Sequence, residues 1–214
     1  MFENPKEIKN QKKKEYILIL LTTVIVPICS VLIICSGKES ALYNSLSRLA
    51  WPENLLWLIY IWGALNIGNL IFSTQMTLDA GGYSKKWSQA IMGIVIASCL
   101  LMIVGISIPS YLDTDPRLIA MRSAHTAIST VGFFGFLIAI MVIAFTTIKR
   151  NKRQFAILLG NLCFTLVLGV FFLVKVSDPS SYCHVSAPAQ ILVFGLYNFG
   201  MMLSYFTMTL MPRE

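Results

Sequence analysis

Residues 55–77 carry no charged side chain. A stretch of that length and character is long enough to cross the ~30 Å hydrocarbon core of a bilayer as a helix. Five further apolar runs have the same character, at 16–35, 87–108, 124–148, 155–174 and 189–211. Charged residues make up 13% of the 214-residue chain and hydrophobic ones 56%. Soluble domains usually carry about 25% charged residues. The expected fold class is therefore all-α: a polytopic membrane protein whose residues 16–211 form a six-helix transmembrane bundle, preceded by a basic segment at 1–15. No room is left for a separate soluble domain.

The basic segment followed by an apolar run also has the outline of a signal peptide. Two features favour a retained anchor. The apolar run exceeds the ~7–15 residues of a signal core, and no clean small-x-small cleavage site follows it. Pro27 lies inside this first run, where a kink is expected and membrane helices tolerate one.

Charge placement sets the expected orientation. Twelve of the 17 Lys and Arg residues fall on one side of a six-span topology and five on the other. The positive-inside rule places the richer side, with both termini, in the cytoplasm. Tyr16, Trp51, Trp57, Trp87, Tyr111 and Tyr182 lie at or near span ends, where amphipathic rings favour the interface. Trp62 departs from that pattern by lying inside the second span. The net charge of +7 follows from the topogenic asymmetry, so no nucleic-acid partner is called for. Membrane lipids are the expected partners, with a membrane protein or a second copy of the chain as further options, and the plasma membrane is the expected location.

With this topology, Glu53, His125 and Gln190 open or precede the second, fourth and sixth spans at one level of the outer face. Two readings compete for this ring. In one, the groups cap helix ends near water. In the other, they form a headgroup or ligand pocket opening outward. Asn66 and Asn69 share a helix face. Together with Asn161, Tyr197 and Asn198 they extend a polar path inward, although each alone is also a candidate interhelical hydrogen bond. The ligand-binding candidates are Glu53, Asn66, Asn69, His125, Gln190, Tyr197 and Asn198. The stripe His125, Ser129, Gly132, Gly135 and Ala139 is expected to pack closely against another helix.

Catalytic and metal signatures are missing. The sequence contains no CxxC, HExxH, GxSxG or phosphate-loop pattern. His125, His184, Cys183, Asp113 and Asp115 match no metal-ligand spacing, so neither metal nor cofactor is expected. Of the five cysteines, Cys35 and Cys183 fall at the outer edge, where they are candidates for a disulfide. A non-enzymatic lipid- or partner-binding protein is the leading reading. A small transporter or channel along Asn66, Asn69, Asn161 and Asn198 is second, and a lipid-modifying enzyme third.

Three short motifs resemble those of DRAM-type (damage-regulated autophagy modulator) six-span membrane proteins, whose relatives include a Golgi protein that remodels GPI anchors and bacterial members. They are Ser45-Leu-Ser with Pro52-Glu53 before the second span, His125 with Ala127 opening the fourth, and Ser186-Ala187-Pro-Ala-Gln190 opening the sixth. Gln190-Ile191 stands where that family tends to have an acidic residue followed by Trp. The resemblance implies a six-helix bundle with cytoplasmic termini and a lipid-linked or trafficking role.

Overall fold

A computed structural model describes residues 5–37, 46–51, 54–109, 116–148, 151–176 and 187–210. The described chain is all-helical. Helix α1 (Pro5–Leu20) continues through a five-residue π-helical segment, Leu21–Ile25, into α2 (Val26–Ser36). A short helix, α3 (Leu46–Ala50), follows. The long helices are α4 (Leu56–Ala80), α5 (Lys85–Ser107), α6 (Pro116–Thr147), α7 (Lys152–Val176) and α8 (Ala187–Leu210). Among the described residues, five stretches are long and apolar enough to cross a membrane: Lys6–Ser36, Leu56–Ala80, Lys85–Ser107, Ala120–Thr147 and Gln190–Leu210. Helix α7 adds a further 25-residue helix.

The helix ends have local causes. Ser84 caps α5, its hydroxyl accepting from the Trp87 N–H at 3.5 Å, and Pro109 lies two residues beyond the last helical position, where it cannot continue the helix. Pro116 is the first residue of α6, a position at which its missing N–H costs nothing. Helix α6 thus begins before the apolar run expected at 124–148. The turn from α4 to α5 requires a left-handed residue, supplied by Gly82 at φ 63°.

Pro27 explains the π segment. A proline has no N–H to give the preceding turn, and its ring crowds the carbonyl four residues back. The chain widens instead, and the Val26 N–H bonds to Leu21 O across five residues.

Helices α4, α5, α6, α7 and α8 pack in sequence, and α8 returns to α4, closing a ring. The first helix lies outside this ring against α4 and α8. The main core fills the ring with side chains such as Leu70, Val95, Ile140, Leu158 and Met201. A second cluster at one end buries α3 through Leu46, Leu49 and Ala50 against Ile33, Ile59 and Trp62. The surface inverts the pattern of a soluble protein. Val31, Leu100, Val131, Phe145, Val167 and Phe199 are exposed, whereas Asn69, Ser73, Thr77 and Gln154 are buried. Hydrocarbon is the solvent that makes both choices favourable.

The small-residue stripe of α6 packs on α5. A side chain at Gly132 would meet Ser98 O at 3.0 Å and Met102 Cγ at 2.8 Å, and one at Gly135 would strike the Ser98 hydroxyl. Close backbone approach of this kind is how helices gain packing contacts in lipid.

Candidate functional site

Helices α4, α5, α6 and α8 enclose a cavity of about 260 Å³. It lies beside the beginning of α4 (Ile59), the end of α5 (Ile106) and the beginning of α8 (Val193), hence in one half of the bundle. Its walls are almost wholly apolar, with Phe133, Phe136 and Phe194 among them. Tyr60 and Ile103 also line it, yet remain 38% and 40% exposed. The cavity therefore reaches the outer surface of the bundle between α4 and α5. The Tyr60 and Ser107 hydroxyls lie 2.8 Å apart and join the two helices there. Gly63 leaves part of the space open, since a Cβ built on it meets nothing within 4 Å.

A chain of hydrogen bonds runs along one wall. The Trp62 indole N–H donates to Ser30 Oγ at 2.8 Å, and the Ser30 hydroxyl donates to Val26 O at 2.8 Å. Asn66 Nδ2 donates to Trp62 O at 2.9 Å, and Asn198 Nδ2 donates to Asn66 Oδ1 at 3.1 Å. Three elements, α2, α4 and α8, are thereby tied together. Trp62 is held further by Phe194, edge-on at 5.5 Å. Trp62, Asn66, Tyr197 and Asn198 all line the cavity. The Tyr197 hydroxyl donates to Phe136 O on α6 at 3.3 Å.

The remaining sequence candidates are engaged elsewhere. Asn69 bonds to the π segment, its Nδ2 donating to Thr22 Oγ1 at 3.0 Å. Asn161 packs against Gly200 on α8, whose missing side chain makes room for it. Neither Asn69 nor Asn161 is among the cavity's lining residues. His125 Nδ1 donates to Gly105 O at 2.7 Å, in the last turn of α5. The Trp51 indole donates to the next carbonyl, Ile106 O, at 3.2 Å. The Trp51 bond satisfies a carbonyl that a helix end otherwise leaves open, whereas Gly105 O is shared between His125 and the Ile108 N–H at 3.1 Å. Gln190 Oε1 accepts from the Leu46 N–H of α3 at 3.0 Å. His125 and Gln190 thus serve different helix ends. Glu53, the third member of the expected ring, lies outside the described residues, as does Cys183 of the expected disulfide. Cys35 is exposed beside the end of α2.

Ser30, Thr22 and the aromatic cavity walls were not anticipated from sequence. Ser30 is a single hydroxyl in an apolar run and gives no signal by itself. Trp62 did give one, by sitting away from the interface where a tryptophan usually lies.

Inverted burial, long apolar helices and a cavity open at the lipid-facing surface define an all-α integral membrane protein. No family model, curated protein or solved structure matches the chain.

Proposed function

We propose that the chain is a non-enzymatic, six-span protein of the plasma membrane that holds the tail of a membrane lipid in the α4–α5–α6–α8 cavity. The cavity's apolar walls and its exposed edge at Tyr60 and Ile103 carry this reading. A cavity near 150 Å³ with apolar walls already admits an aromatic ring, so one of about 260 Å³ accommodates a length of alkyl chain. With both termini cytoplasmic, as the Lys and Arg asymmetry favours, the cavity lies in the outer half of the membrane. Membership of the DRAM-type group, proposed from the three short motifs, would imply the same lipid-linked role. A polar conduction path is the weaker alternative, because Asn69 is bonded toward the first helix, Asn161 packs against Gly200, and neither lines the cavity.

Trp62 provides the test. It lines the cavity and is only 2% exposed, whereas Trp57 is 62% exposed. Variants retaining Trp62 or Trp57 as the single tryptophan are reconstituted in bilayers containing lipids brominated along the acyl chain. Bulk lipid should quench Trp57. Quenching of Trp62 requires a chain inside the cavity, and Gly63→Leu should abolish it. Quenching of Trp57 alone, with Trp62 unaffected, would reject the proposal.

A further inference from the structure

The hydrogen-bond chain beside the cavity has a fixed direction. A backbone carbonyl only accepts, so Trp62 O must receive Nδ2 of Asn66, not Oδ1. Asn66 therefore turns its Oδ1 toward Asn198. Asn198 must answer with its own Nδ2, because two amide oxygens cannot bond to each other. Oδ1 of Asn198 is what remains. It is buried, and among the described residues it has no partner. Asn198 itself is 2% exposed and lines the cavity. A buried acceptor without a donor carries an uncompensated desolvation penalty. Oδ1 itself exposes less than 1 Å², so a donor in the cavity that Asn198 lines reaches it only as the neighbouring side chains part.

We infer that the cavity is selective for an uncharged lipid bearing a hydroxyl, whose O–H donates to Asn198 Oδ1 while its alkyl body fills the apolar space. The inference rests on the lipid-tail reading and names the chemistry that completes it. A carboxylate or phosphate would bring acceptors to an acceptor. A cation would be stripped of water in a cavity with no charged residue in its wall. A methyl ether of the same length matches the hydroxyl lipid in shape but has no proton to donate.

The test compares a brominated alkanol with its methyl ether at equal mole fraction in the bilayer, read by quenching of a protein whose single tryptophan is Trp62. The alkanol should bind about fivefold more tightly, the scale of one neutral hydrogen bond. Asn198→Leu should erase that preference and leave ether binding within about twofold. Equal quenching by both probes in the parent protein would overturn the inference and leave the lipid-tail reading standing. A preference that survives Asn198→Leu would also overturn it. Absence of Trp62 quenching by either probe, with Trp57 still quenched, would remove both readings together. The comparison in the parent protein needs no substitution at Asn198, so it remains decisive if Asn198→Leu fails to fold.

Discussion

Asn198 on α8 donates to Asn66 on α4 at 3.1 Å although 132 residues separate them, and neither side chain is more than 3% exposed. Water does not reach this bond, and hydrocarbon offers no partner in its place. Hydrogen bonds between membrane helices are typically worth about 0.6–2 kcal/mol, because the separated helices find other partners. Asn66→Leu removes this bond and the one to Trp62 O, and should destabilise the bundle by about 1–2 kcal/mol. Asn198→Leu should cost less, since its Oδ1 has no partner to lose. The double variant should be less destabilised than the two single effects combined, as coupling between contacting residues requires. Equilibrium unfolding in detergent measures all three. Strict additivity would mean that the two amides do not interact.

The π segment makes a second prediction. One extra residue in a helical turn rotates everything before it by about 100° relative to everything after it. Two attachments depend on that rotation: Thr22 to Asn69, and the junction where Glu15 Oε1 accepts from the Tyr205 hydroxyl at 2.7 Å, with Gln11 on the same hydroxyl. Pro27→Ala restores the missing N–H and lets the segment close into an α-helix. The first helix should then lose its register against α4 and α8. Hydrogen exchange at Pro5–Leu20 should rise while exchange in α5 and α6 stays unchanged. Unaltered exchange in Pro5–Leu20 would show that Pro27 does not set this register.

How the spans lie was legible because lipid imposes it: each must be long, apolar and internally hydrogen-bonded. Helix α5 runs from Lys85 to Ser107 where 87–108 was expected. Helix α6 starts at Pro116, ahead of the span expected at 124–148, because hydropathy reports the membrane and not the helix. Arg117 and Arg122 are poor in hydrocarbon but acceptable in a helix that continues beyond it. Partnership was much less legible. Asn66 and Asn69 share a face of α4, yet bond to α8 and to the first helix respectively, because both neighbours pack against that face. Nothing local distinguishes the two. The cavity was not legible at all, because it follows from how four helices sit together, and Gly63 differs from Gly132 only in what faces it.

Orientation gives a third prediction. The Lys and Arg asymmetry predicts that the α4–α5 connection, with Lys85, faces the cytoplasm and the start of α6, with Arg117, the outside. Cysteines introduced singly at these positions, in a background lacking the native five, should respond oppositely to an impermeant maleimide. Arg117→Cys should label in intact cells, and Lys85→Cys only after permeabilisation. The reverse pattern would invert the bundle and move the cavity to the inner leaflet.

Two glycines test whether the cavity is real space. In both, a side chain replaces a hydrogen inside a transmembrane helix, so lost glycine flexibility is common to the pair. Their surroundings differ. A Cβ at Gly63, which lines the cavity, meets nothing within 4 Å, whereas one at Gly132 meets Ser98 O at 3.0 Å. That oxygen is backbone and cannot swing aside, so Gly132→Val should force α5 and α6 apart. The expected cost is about 1–3 kcal/mol, as for other overpacked sites, with reduced yield of folded protein. Gly63→Leu should raise thermal stability in detergent or leave it unchanged, because it adds contacts where there were none. In bilayers it should also remove any stabilisation that a bound lipid supplies by mass action. Adding membrane lipid to detergent-solubilised protein should therefore raise the melting temperature of the parent and not of Gly63→Leu. If Gly63→Leu destabilises as severely as Gly132→Val, the helices close over that space and no lipid tail can occupy it.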